Sequence, residues 1–177
     1  MEAYTSRIAQ PFTDALSLCN RLIAGNLVNV YSDNAGKDGW EKITLASTIG
    51  GMVINTAGVT LAHGMEHPAS GLRDIVHGKG LAALTPAIIE ASYTGNESKF
   101  ADIAKLFGGK EAKDLALKIR ELLKSINLNC TLSDLGIEEK DIPWMAENCM
   151  KVSAASVANN PVVFTQEQIA DIYKKAL

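Results

Sequence analysis

His63, His67 and His77 are all the histidines of a 177-residue chain, and they fall within one fifteen-residue window. Residues four apart on a helix stand one turn above each other on the same face, so His63 and His67 can aim imidazole nitrogens at one point. Pro68 is expected to end that helix, after which a short connection returns His77 toward it. Neutral imidazole suits borderline ions such as Fe(II), Co(II) and Zn(II), whereas calcium and magnesium prefer oxygen shells. On spacing alone, all three rings belong to one transition-metal site. The competing account is three hydrogen-bonded core or rim histidines, as a single histidine in a mixed helix more often is. A third histidine placed just after a helix break favours the metal.

The same residues fit a second pattern. His63-x-x-Glu66-His67 matches the H-x-x-E-H of inverted zinc proteases, in which two histidines hold zinc and the glutamate is the general base. Such a site needs a further carboxylate downstream, and Glu90, Glu97, Glu138 and Glu147 lie in no recognisable setting for it. Gly78-Lys79-Gly80 does not meet the spacing of a phosphate loop and reads as a tight turn after His77. Met52 and Met65 read as core fillers, because thioethers favour softer ions.

The elements that must position these groups read as helices almost throughout. Thr13 can cap a helix whose Leu18, Cys19, Leu22, Ile23, Leu27 and Val30 form one apolar stripe. Ser32 to Gly39 reads as a loop. Ile43 to Ala62 is a run of twenty residues without a charge, long enough to span a bilayer. About half of it is Ser, Thr, Asn or Gly, so transfer to lipid would gain little. It is expected to be a buried helix whose Gly50, Gly51, Ala57 and Gly58 admit neighbouring backbones and whose end delivers His63. Further helices are expected over Gly80 to Ser92 and Ser98 to Phe107, parted by the turn Thr94-Gly95-Asn96. Between Lys110 and Ile126, Ala112, Leu115, Ile119, Leu122, Leu123 and Ile126 make one face. Thr165 with Gln168 forms a capping box for the last helix. There is no alternating strand pattern, internal repeat or Pro/Gly-rich linker.

Composition agrees with one soluble domain. Charged residues are 21% and apolar residues 47%, and the length suffices to bury a sizeable core. A net charge of −3 leaves no basic surface for phosphates, so nucleic acid is excluded as a partner. Cys19, Cys130 and Cys149 are odd in number and widely spaced, suggesting no disulfide framework. Without an apolar signal core near Arg7, a cytoplasmic location is expected and a membrane is not.

Around the histidines the chain runs Ala57-Gly58-Val59-Thr60-Leu61-Ala62-His63-Gly64-Met65-Glu66-His67-Pro68, then Val76-His77-Gly78-Lys79-Gly80 and Leu84-Thr85-Pro86. This closely resembles the iron-containing (group III) alcohol dehydrogenases, with their A-G-x-x-x-x-H-[AG]-x-x-H-P run, a later H-G and then L-x-P. Glu2 to Arg7 and Thr13-Asp14-Ala15-Leu16 look like the family's helix after its first two metal ligands. Asn160-Pro161, Thr165, Ile169 and Ile172 to Leu177 look like its closing helix.

The resemblance implies an all-α helical bundle, residues 1–177, of the dehydroquinate synthase-like, iron alcohol dehydrogenase architecture. It implies Fe(II), or Zn(II) or another divalent ion, held by His63 and His77. It places His67 beside the nicotinamide of NAD or NADP rather than on the metal, which revises the three-ligand reading. Ile54 stands where many relatives have a substrate-facing phenylalanine, and Val162 replaces the arginine of a common N-P-R. Met1-Glu2-Ala3 aligns with the end of the family's D-x-x-x-H-A-[IM]-E-A run. Both upstream ligands and the N-terminal Rossmann-like NAD(P) domain are therefore expected to be absent. The expected function is the C-terminal half of an enzyme interconverting a small alcohol with its aldehyde or ketone, inactive alone, needing its missing half and prone to homo-oligomerise. The alternatives are a non-catalytic metal-binding or assembly domain and, third, the zinc peptidase.

Overall fold

The computed structural model of the chain describes residues 1–11, 14 and 18–177. Among the described residues all regular structure is helical, with no strand, as the periodicity implies. The N-terminal part holds α1 (Glu2–Thr5) and a hairpin of α2 (Leu18–Tyr31) and α3 (Gly36–Ala57). The central pair is α4 (Leu61–Arg73) and α5 (His77–Ser92), followed by α6 (Glu97–Leu106) and α7 (Leu115–Ser125). The chain closes with α8 (Ile142–Val152), α9 (Ala154–Asn159) and α10 (Gln166–Ala176). The expected cap at Thr13 lies outside the described residues, as do Ala15 and Leu16.

The principal core forms where α4, α5, α8 and α10 meet. Leu61, Met65, Leu84, Met145, Ile169 and Tyr173 are among its fully buried side chains. Tyr173 donates its hydroxyl to the Met65 carbonyl at 2.5 Å, tying α10 to α4. A second cluster, with Ile89, Phe100, Ile103, Leu115 and Ile119, packs α6 and α7 against the far side of α5. The Thr165–Gln168 capping box opens α10 as expected. Tyr93–Gly95 forms the short turn expected between α5 and α6.

Four local expectations are corrected. Pro68 does not end its helix: α4 runs through it to Arg73. Proline forfeits the bond to the Gly64 carbonyl, but Pro68 and Ala69 are buried and the following turn is held in the core. The reversal comes at Asp74, left-handed at φ 50°, whose N–H reaches the Ser70 carbonyl at 2.8 Å. Second, Gly78-Lys79-Gly80 is no turn but the first turn of α5. Third, the loop after α2 is shorter than expected, because α3 already starts at Gly36.

Fourth, the uncharged run is not one buried helix. It breaks between Ala57 and Leu61, and the helices on either side are bent by 102°. On α3 only Gly39, Ala46, Val53 and Ala57 are buried, a single line of small residues. Among the described residues a Cβ built on Gly50 or Gly51 meets nothing within 4 Å, so no described backbone approaches there. Met52 is exposed, whereas Met65 fills the core as expected. No single helix among the described residues is long and apolar enough to cross a membrane; by length and composition alone the bent pair is.

Candidate functional site

The bend between α3 and α4 decides where His63 points. Gly58 takes φ 66°, ψ −167°, a conformation that glycine adopts without strain. The amide of Asn159, at the end of α9, donates to the carbonyls of Ala57 at 2.9 Å and Val59 at 3.1 Å, and so holds the break open. Its Oδ1 accepts the Ile8 N–H at 3.3 Å, pinning the segment after α1 to the same place. Asn160 donates to the Ser92 hydroxyl at 3.0 Å and the Val162 carbonyl at 2.8 Å.

Thr60 does not cap α4 with its own side chain. The carboxylate of Glu2 takes that place from 58 residues away. One oxygen accepts the Thr60 N–H at 3.1 Å and hydroxyl at 2.8 Å, and the His63 N–H at 3.4 Å. A helix N-terminus favours such a negative charge. The other oxygen meets Nδ1 of His63 in a short contact. Burial opposes charge on both partners, yet their mutual hydrogen bond and attraction outweigh it. Glu2 is accordingly held below the ordinary carboxylate range and His63 above the ordinary imidazole value.

A second carboxylate serves His77. Glu66, on α4, has no exposed surface, and its Oε2 lies 2.5 Å from Nδ1 of His77 at the start of α5. Its Oε1 accepts the Ser70 hydroxyl in a short contact. Gly80 lies against the same group: a Cβ there would stand 2.7 Å from Oε1 and 2.8 Å from Cγ. That close approach is why the first turn of α5 carries glycine.

The three imidazoles thus come together, but not equivalently. The ring centres of His63 and His77 are 5.2 Å apart, whereas His67 lies 6.1 Å from one and 6.0 Å from the other. Two imidazoles sharing a tetrahedral ion at about 2.0–2.1 Å have ring centres about 5 Å apart. The His63–His77 pair fits that spacing, and both rings have Nδ1 committed to carboxylates, which leaves Nε2 for another partner. His67 has no such carboxylate contact and is exposed. Among the described residues no group of three or more His, Cys, Asp or Glu side chains is arranged to hold an ion. The donor set here is two nitrogens, so a closed shell requires further donors. Ile54 stands across the break, exposed, in the last turn of α3.

Glu2 and Glu66 are the residues that spacing did not assign. Glu66 entered only as a protease base, a role its burial and two hydrogen bonds deny it, since no water reaches it. That Glu66 is buried and faces His77 is set by the chain reversal after α4 and not by its neighbours in sequence. For Glu2, 61 residues from His63, no local signal exists.

The family described as Fe-containing alcohol dehydrogenase family, C-terminal, matches residues 1–177. The 1,3-propanediol dehydrogenase of Klebsiella pneumoniae is 36% identical over 185 aligned positions, covering 99% of this chain and 47% of that protein. Lactaldehyde reductase of Escherichia coli (strain K12) is 30% identical, covering 99% of this chain and 47% of its own length. A crystal structure of 1,3-propanediol oxidoreductase superposes with a TM-score of 0.91 at 36% identity, over 99% of this chain and 48% of that one. An archaeal Red Sea brine pool alcohol dehydrogenase gives 0.91 at 29% identity, over 99% and 47% of the two chains. The chain spans about half the length of the curated relatives it matches. It belongs to the Fe-containing alcohol dehydrogenase family, of which it carries the all-helical C-terminal domain.

Proposed function

We propose that the chain, as one helical domain, is the metal- and substrate-bearing half of an NAD(P)-dependent alcohol dehydrogenase acting on a small alcohol or aldehyde. The observation that carries this reading is the His63–His77 pair, with ring centres 5.2 Å apart and both Nδ1 atoms on carboxylates. Carboxylate–histidine pairing of this kind is the usual setting of metal-ligating imidazole. His63 and His77 supply two ligands to Fe(II), or to Zn(II) or a similar ion. When bound, that ion supplies Lewis acidity that lowers the pKa of an alcohol oxygen. His67, exposed and clear of both carboxylates, places the nicotinamide or relays a proton. Ile54 lines the substrate side, where its branched chain sets the room for the alcohol.

The remaining ligands and the nucleotide site belong to a Rossmann-like half, which is the partner of this domain. Holding a nicotinamide against the alcohol carbon needs a pyrophosphate cradle, and no strand-turn-helix unit is found among the described residues. The chain alone is therefore inactive. Exposed Trp40, Leu45, Met52, Ile54 and Val76 favour association with that half or with further copies of itself. Its free cysteines suit a reducing cytoplasm.

Titration of the metal-free chain with Zn(II) or Co(II) tests the ligands. Two imidazoles completed by water give an affinity of roughly micromolar or poorer, and His77→Ala abolishes it. Tight binding that survives His77→Ala overturns the assignment. Adding a nucleotide-binding half that carries an Asp-x-x-x-His run, with Fe(II), should restore NAD(P)-linked alcohol oxidation. Turnover by the 177-residue chain alone would refute the half-enzyme reading.

A further inference from the structure

Each of the two candidate ligand rings touches a carboxylate that no catalytic step requires. Glu2 reaches the start of α4 from α1, and Glu66 lies within α4. Both meet the imidazole at Nδ1, not Nε2. An imidazole ring carries one proton when neutral, and a carboxylate at Nδ1 holds that proton there. Nε2 is then bare, which is the form that can donate a lone pair.

Neither carboxylate is free to drift. Glu2 is fixed by three donors at the entrance of α4, two from the backbone and one from Thr60. Glu66 is fully buried, its other oxygen is taken by Ser70, and Gly80 closes on it so tightly that a methyl group would not fit. The Ser70 carbonyl in turn accepts the N–H of left-handed Asp74, the residue that turns the chain back toward His77. The same short segment therefore aims the ring and supplies its acceptor.

We propose that Glu2 and Glu66 are positioning residues that lock His63 and His77 in the Nδ1–H tautomer and present two bare Nε2 atoms to one point. The proposal rests on the metal reading above for its purpose, but not for its geometry. His67, which has no carboxylate partner, is the internal control. Its ring samples both tautomers while the other two do not.

The experiment is long-range ¹H–¹⁵N correlation of the histidine rings in the metal-free 177-residue chain, at a pH above the titration of the rings. His63 and His77 should show a protonated Nδ1 and a bare Nε2, and His67 a mixture. Glu66→Met, which keeps the volume and removes the acceptor, should move His77 alone to the mixed pattern. Glu66→Gln, whose amide oxygen can still accept from Nδ1, should leave it largely pinned. Glu2→Met and Glu2→Gln should behave likewise toward His63. Zn(II) or Co(II) affinity should fall about 10–100-fold in each Met variant and less in each Gln variant. Thermal unfolding identifies any variant that fails to fold, in which case the wild-type spectrum decides. Mixed tautomers at His63 and His77 in the wild type overturn the proposal. So does a folded Glu66→Met chain with His77 still pinned. Pinned rings in a wild-type chain that binds no ion would instead refute the metal reading and leave the carboxylate lock standing.

Discussion

Helices α3 and α5 are both rich in small and apolar residues, yet they occupy opposite environments. Over 22 residues α3 buries Gly39, Ala46, Val53 and Ala57, while over 16 residues α5 buries nine, among them Leu84, Ile88 and Ile89. Helix α5 is covered on several sides, by α4, α7 and α10, whereas α3 rests mainly on α2. Uncharged sequence is therefore not equivalent to buried sequence. In α5 it fills a core from Gly80 onward, and in α3 it leaves Leu45, Met52 and Ile54 exposed. The glycines make the same contrast: a Cβ on Gly80 would press on a buried carboxylate, and one on Gly50 would meet none of the described residues.

Substitutions can break or sharpen that contrast. The largest effect is expected at the α5 core, where Leu84→Ala should cost about 2–5 kcal/mol, read by denaturant unfolding. Met52→Ala on α3 should stay within about 0.5 kcal/mol, and a comparable loss there would show that α3 is covered. Gly80→Ala comes next. Helix propensity favours alanine by about 1 kcal/mol, but the new methyl would press on a carboxylate that Ser70 and His77 hold in place. The net result should be a loss of about 1–2 kcal/mol, with His77 displaced.

A pH experiment sharpens the buried side of the comparison. Burial pushes the Cys149 thiol from 9.0 up to about 12. Between those values the unfolded chain releases a proton that the folded chain keeps, so stability is intact below pH 9 and falls as pH rises. The slope contributed by this thiol is at most about 1.4 kcal/mol per pH unit. Comparing wild type with Cys149→Ala should reveal that difference in slope, and parallel curves would show that the thiol is not buried. The smallest effect carries the opposite sign. Gly50→Ala should stabilise α3 by about 0.5–1 kcal/mol, because the position is helical and its Cβ would meet none of the described residues. A destabilised variant would restore the close backbone packing that the glycines of this run suggested.

Much of the site was legible where information is local. The clustering of His63, His67 and His77, the helix from Gly80 to Ser92, the turn at Thr94 to Asn96 and the Thr165–Gln168 cap all follow from neighbours within one or two helical turns. A side-chain period of 3.6 and the chemistry of caps act over that range, so the residues themselves suffice.

Tertiary structure alone decided the rest. Whether Pro68 ends a helix depends on how firmly the next turn is anchored, and that anchor is a core assembled from α5, α8 and α10. Whether Ile43 to Ala57 is buried depends on what packs over it, which no pattern of its own residues states. The partners of His63 and His77 depend on three-dimensional approach: Glu66 meets His77 through a chain reversal, and Glu2 meets His63 across 61 residues. Residue types determined which rings could bind an ion, by their nitrogen chemistry. Packing determined which two lie close enough to share one, because only the folded chain sets the distance and the partner of each ring.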